Sequence, residues 1–310
     1  MTAPAKEPGY FLGIDLGGSR IKSVATTADG TCLEEQTLPF VDVEMQWAAR
    51  IRDLVVGLER RLGRPKGVGL CAPGLASRDG RCIVHMPGRL HGLEGLDWKD
   101  FLGFEGPLSV LNDAHAALLG EAWIGAARGL DQVVMLTLGT GVGGAALVDG
   151  RLLRGHLGRA GHLGHITLDS RAGNDDVGTP GSLEMAIGNK TVQARSQGRY
   201  ASTRDLVEDA RRGDPQASAL WEESVRGLAV GINSLINVLD PEAVILGGGI
   251  AQAGPLLFDL LANTLARHEW RPMGSRVRIL PAQLGELAGA YGASHQAIRR
   301  GETDNATMAG

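Results

Sequence analysis

Glycine gathers at three points in this 310-residue chain, each next to a segment that reads as a buried strand. The clusters are Gly17-Gly18-Ser19, Gly139-Thr140-Gly141-Val142-Gly143-Gly144 and Gly247-Gly248-Gly249. Glycine tolerates positive φ and lets a ligand touch the main chain. Successive N–H groups in such a bend make a concave site for an anion. Any one cluster alone reads best as a tight turn. Three of them at strand ends point instead to a nucleotide, with the first two bends on its phosphates and the third against adenosine. No GxxxxGK[ST] run is present, so the bends are not a P-loop. Gly139, Gly141 and Gly144 fit GxGxxG, but a strand-like segment follows where a dinucleotide site requires a helix.

Two aspartates stand beside these bends. Asp15 ends the apolar run GYFLGID. A carboxylate there is costly without a partner, and beside a phosphate bend it suits Mg²⁺ held through water; the plain alternative is a turn-forming Asp. Asp113 follows Asn112 at the end of PLSVLN and opens an Ala- and Leu-rich helix over about 114–127. It reads equally as an N-cap and as the base that takes the proton from an attacking hydroxyl, with Asn112 holding a neighbouring hydroxyl. His162 and His165 lie three apart among glycines that argue against a helix, with Asp175, Asp176 and Glu184 downstream. Metal binding, hydroxyl binding and a structural role all fit that pair, and the signal is weaker than any containing cysteine.

The elements that must position these residues are α/β in pattern. GYFLGID and IKSVATTADG form a hairpin around the first bend, ending in an Asp-Gly turn. DQVVMLTLGTGVGGAALVDG repeats that design: with Asp15 set against Thr137, Gly17-Gly18-Ser19 falls on Gly139-Thr140-Gly141, and both second strands end in Asp-Gly. This weak internal repeat suggests duplicated lobes facing one another. Helical spacing covers 45–63 and 217–239; GVGLCAPG, EAVILGGGI and VRILP read as strands, and a terminal helix follows LGEL. Segments 79–107 and 155–183 read as irregular loops, and residues 1–9 as a frayed end.

Composition excludes several classes. A net charge of −4 gives no footprint for nucleic acid. No apolar run reaches about 18 residues, so no membrane span is expected, and the first residues lack the n- and h-regions of a signal peptide. Three cysteines, Cys32, Cys71 and Cys82, make neither a CxxC pair nor a disulfide framework, which fits a reducing, cytoplasmic location.

GIDLGGSRIK, CAPG, LNDAHAALLGE, LTLGTGVGG, AGHLGH, GSLE, LINVLDPEAVILGGGI and LGELAGAYGA occur in this order from about residue 10 to 298. In order and spacing they resemble the ROK family, the bacterial sugar kinases and sugar-responsive repressors of the actin-like/hexokinase (ribonuclease H-like) ATPase fold. The resemblance implies an α/β chain of two lobes, 10–118 with the terminal helix 291–303 packed back on it and 119–290, with the active site in the cleft between them. It implies ATP and Mg²⁺ as cofactors, a glucokinase-like hexose substrate and a homodimer. Carried over by position, Asp15, Gly17, Gly18, Ser19 and Lys22 form the first phosphate site, Gly139, Thr140 and Gly141 the second, and Gly247, Gly248 and Gly249 the adenosine wall. Asp113 becomes the base, with Gly74, Asn112, His165 and Glu184 around the sugar.

Two departures from the family pattern matter. The family commonly has Gly-Glu-x-Gly-His, and His162 stands where that sugar-binding glutamate would be. An imidazole whose charge varies near neutral pH replaces an anionic acceptor, so an altered substrate preference is expected. The family commonly holds a structural zinc with three cysteines, and those positions are Asp175, Val177 and Ser182. No tetrahedral zinc is expected, since a valine cannot ligate, and the loop is then held by packing, turn residues and Asp hydrogen bonds. A sugar-responsive regulator of the same family is the competing function, but its helix-turn-helix would have to precede a first strand that begins near Tyr10. A catalytically weak sugar-binding pseudokinase is another, opposed by Asp15, Asp113 and the two phosphate bends.

Overall fold

In the computed structural model, residues 9–308 are described, with side chains through Asp304; the fraying expected over residues 1–9 lies, but for Gly9, outside them. Contacts divide the chain into two units. The first takes the chain up to Arg128, then Arg154–Arg159 and everything from Glu286 onward; the second takes Gly129–Leu153 and Ala160–Gly285.

The first unit is laid down as β1 (Phe11–Leu16), β2 (Arg20–Thr26), β3 (Cys32–Pro39), α1 (Gln46–Leu62) and β4 (Gly67–Ala72). Then come β5 (Leu75–Ala76), β6 (Ile83–His85), α2 (Trp98–Leu102), β7 (Leu108–Asn112) and α3 (Asp113–Ile124). Its sheet runs β3-β2-β1-β4-β7, antiparallel across β1–β3 and parallel from β1 to β7. The apolar stripe of α1 buries Trp47, Ala48, Ile51, Leu54, Val55 and Leu58 in the core it shares with this sheet. Each fully buried aliphatic side chain there is worth about 1.5–3 kcal/mol. Within 79–107, β6 and α2 stand where an irregular excursion was expected; with three and five residues, neither is long enough to show a period.

The second unit begins with β8 (Val133–Leu138), β9 (Val142–Val148) and β10 (Arg151–Leu152). It continues through α4 (Leu183–Ile187), α5 (Val192–Arg195), α6 (Thr203–Arg211), α7 (Pro215–Leu239), β11 (Ala243–Gly247), α8 (Pro255–His268) and β12 (Arg278–Pro281). The sheet order is β10-β9-β8-β11-β12, antiparallel then parallel as before. The repeat read from the sequence is therefore a repeated topology. β1 ends one residue after Asp15 and β8 one residue after Thr137. Trp221 of α7 is buried and donates its Nε1–H to the Leu256 carbonyl at 3.1 Å, pinning α7 to α8.

The last helix, α9 (Ala288–Met308), returns to the first unit and packs on β1, β4 and α3. Small residues allow this. A Cβ on Gly69 would strike the Ala293 carbonyl, and one on Gly292 would strike that of Ala116. Backbone therefore lies on backbone, an approach glycine alone permits. α3 and β7 lie together in the first unit, and α3 is kept whole there rather than cut at 118/119.

Candidate active site

Asp15 lies at the end of β1, buried at 7% exposure. The β1–β2 register sets it directly opposite Lys22, whose Nζ reaches Oδ2 at 3.1 Å. The Cys71 thiol, at the end of β4, points its Sγ at Oδ1 from 3.6 Å. Burial pushes the Asp15 carboxyl up, and the Lys22 ammonium only partly offsets it. Burial, then the charges of Asp15 and Asp113, push the Cys71 thiol well up, so it stays an S–H donor.

The cap expected at Asp113 falls to its neighbour. Asn112, not Asp113, caps α3: its Oδ1 accepts from the N–H groups of Ala114 at 3.0 Å and His115 at 3.2 Å. Its Nδ2 donates to the Gly74 carbonyl at 3.0 Å. Asn112 thus ties the β7–α3 corner to the bend after β4, where Gly74 sits at φ 100, a conformation that calls for glycine. Asp113 becomes the first helical residue, with Oδ1 accepting from the Ala114 N–H at 2.8 Å. Burial and then the neighbouring Asp15 charge raise its carboxyl above the ordinary range. The charge of Asp15 thus disfavours ionisation of its neighbour Asp113, while Lys22 pairs with Asp15 itself.

The two glycine bends are built alike. In the first, Gly17 donates to the Arg20 carbonyl at 3.0 Å. The N–H groups of Gly18 and Ser19 have no partner among the described residues. In the second, Gly139 donates to Gly141 at 2.9 Å. The carbonyls of Gly139 and Thr140 turn away to accept from Asn189 at 3.0 Å and Lys190 at 2.8 Å. The N–H groups of Thr140 and Gly141 are left unpartnered among the described residues. Each bend offers an adjacent pair of free donors, which suits phosphate oxygens. Asn189 and Lys190 carried no signal in the sequence, since a main-chain donor has no residue type.

A cavity of about 520 Å³ opens beside the second bend, lined among others by Gly139, Thr140, Arg204, Arg211, Gly249 and Gln252. The third glycine cluster divides its work. Gly247 ends β11. Gly248 turns at φ 86 where a Cβ would strike Leu138. Gly249 has open space beside it and lines the cavity.

Around His162 and His165 the side chains are largely committed. His165 Nδ1 meets Asp175 Oδ2 at 2.8 Å. Asp175 Oδ1 accepts from the N–H groups of Val177 at 3.1 Å and Thr179 at 2.8 Å. Burial raises the Asp175 carboxyl, but the His165 and main-chain bonds outweigh it and hold it below the usual range. His165 is thus half engaged by the loop rather than wholly open to a ligand. Asp176 pairs with Lys190. Glu184, expected beside the sugar, sends Oε2 to the Val142 N–H at 2.9 Å and lies against Gly141, so it braces the second bend. His162 is half-buried at the start of a short 3-10 turn. Among the described residues no cluster of three or more His, Cys, Asp or Glu could hold a metal ion. No helix among them is long and apolar enough to cross a membrane.

A duplicated five-stranded unit, each copy with a glycine bend between its first two strands, is the plan of the actin-like ATPase fold. The ROK family model matches residues 11–300, and the chain belongs to that family. It is 30% identical to a glucokinase from Thermotoga maritima, over 92% of this chain and 96% of that one. It is 25% identical to the xylose repressor of Bacillus subtilis, over 93% of this chain and 77% of the repressor. Among solved structures, a ROK family glucokinase from Streptomyces griseus in complex with glucose and AMPPNP superposes with a TM-score of 0.79 at 27% identity, covering 94% of this chain and all of that one.

Proposed function

We propose that the protein transfers the γ-phosphoryl group of ATP to a hydroxyl of a hexose or hexose derivative, with Asp113 as general base. The observation that carries this is the division of labour at the β7–α3 corner. Asn112 caps the helix, and Asp113 keeps a carboxyl whose proton affinity is raised by burial and by Asp15. As the sugar oxygen bonds to phosphorus and the bond to ADP breaks, the hydroxyl proton passes to Asp113. The free N–H groups of Gly18 and Ser19, and of Thr140 and Gly141, fit phosphate oxygens; the cavity beside Gly249 fits adenosine. A magnesium ion, when bound, neutralises phosphate charge. Asp15 suits it through water, because both its oxygens already accept from Lys22 and Cys71. Around the sugar we place Gly74, His162 and His165, with Asn112 and Glu184 acting through the main chain they hold. The reading carries a cytoplasmic location and a homodimer with it.

Similarity to a xylose repressor over 93% of the chain supports a second reading, a sugar-responsive regulator. One experiment separates the two. Hexoses, amino sugars, N-acetyl sugars and ketoses are offered with ATP–Mg²⁺ or polyphosphate, to the native protein and to Asp113→Asn. We expect one sugar class to stimulate turnover. Asp113→Asn should bind that sugar nearly as well and lose about 10²–10⁴-fold in rate. If no sugar stimulates turnover, the regulator reading stands. Near-normal turnover by Asp113→Asn would remove the base assignment.

A further inference from the structure

Arg89 lies in the segment between β6 and α2 that the family resemblance does not use. Its guanidinium rests against Gly18, where any Cβ would collide with it. Other basic side chains of the β1–β2 hairpin are committed: Arg20 pairs with Glu286 at 3.5 Å and Lys22 with Asp15 at 3.1 Å. Arg89 is exposed and has no hydrogen-bond or ion-pair partner among the described residues. A free guanidinium thus stands over the bend whose Gly18 and Ser19 N–H groups are also free.

The backbone holds Arg89 there by unusual means. Gly88 before it has φ 78, and Leu90 after it has φ 51. Left-handed backbone at a leucine is uncommon and persists only where the surroundings enforce it. Here they do: the Leu90 side chain is 1% exposed, and its N–H donates to Asp42 Oδ2 at 2.8 Å. Leu93 in turn donates to the Leu90 carbonyl at 2.9 Å. The strained position sits next to the free cation.

We infer that Arg89 is a further catalytic residue, one that binds the terminal phosphoryl group of the nucleotide together with the Gly18 and Ser19 amides. This rests on the kinase reading above. Guanidinium matches phosphate oxygens in a planar fork, and positive charge placed where phosphoryl charge spreads speeds transfer. It also offsets Asp15 and Asp113, whose charges repel an incoming triphosphate.

The test is binding of AMPPNP and of AMP, by calorimetry, to the native protein, Arg89→Ala and Arg89→Lys, alongside sugar-stimulated turnover. Arg89 has no described protein partner, so Arg89→Ala should melt as the native protein does. We expect Arg89→Ala to bind AMPPNP at least about tenfold more weakly and AMP unchanged, to lose about 10²-fold in kcat, and Arg89→Lys to recover part of both. Equal AMPPNP affinity in all three proteins would overturn the inference. So would parallel loss of AMP and AMPPNP, which marks a structural role, or a change confined to the KM for sugar. If the native protein binds no AMPPNP, the nucleotide reading itself falls.

Discussion

Asp113 is raised in pKa by burial first and by Asp15 second, and both effects have a sign that can be measured. As the proposed base it must be ionised to accept a proton, so activity should fall on the acid side. Because the carboxyl is raised, that fall should lie above pH about 4, where an ordinary aspartate titrates. The same shift bears on stability. A carboxyl that holds its proton more tightly in the folded state contributes most at low pH, and that contribution is lost as pH rises from the unfolded pKa through the folded one. Above the folded-state pKa the folded chain carries the full penalty. Asp113→Asn should therefore raise Tm at pH 7.5, with a smaller gain near pH 4. A lower Tm for the variant at pH 7.5 would contradict the assigned repulsion. Function and stability oppose one another at this residue.

Among the elements, α9 couples the chain end to the site. It begins beside Asp15, where a Cβ on Gly289 would stand 3.1 Å from Oδ2, and runs along β1, β4 and α3. The contact is main chain on main chain, with Gly292 over the Ala116 carbonyl and Gly120 over that of Ala288. Overpacking typically costs 1–3 kcal/mol, and here the obstructing atoms are backbone. We expect Gly292→Val to destabilise by about 3 kcal/mol or more in urea unfolding. A variant within 0.5 kcal/mol of the native protein would show that the helix can move away freely. The segment 165–182 shows a second solution at this scale. Where the family commonly uses cysteines, the Asp175 carboxylate gathers His165 and two main-chain N–H groups.

For the whole molecule, the decisive property is what it binds. Each unit carries its own apolar core, one from Tyr10 to Val110 and the other from Val134 to Leu265. A ligand that binds only the folded state stabilises it by mass action, by about 2.7 kcal/mol at a hundred times its Kd. AMPPNP with Mg²⁺ at that excess should raise Tm by several degrees, whatever the sugar. No shift at millimolar AMPPNP would exclude the nucleotide from the cavity beside Gly249.

Much of this was legible without coordinates. Glycine clusters, buried apolar runs and the order of the motifs state the fold and the family, because local backbone demands and hydrophobic period are written residue by residue. Asp15 and Asp113 could be picked out because a carboxylate at a strand end needs a reason. What only the tertiary structure decided was how each polar group is spent. Asn112 caps α3 and keeps Asp113 out of the cap, Glu184 braces the second bend, His165 turns to Asp175, and Arg89 comes to rest over Gly18. Those outcomes depend on partners up to 71 positions away in the chain, and a hydrogen bond or a free charge is a property of the pair, not of either residue.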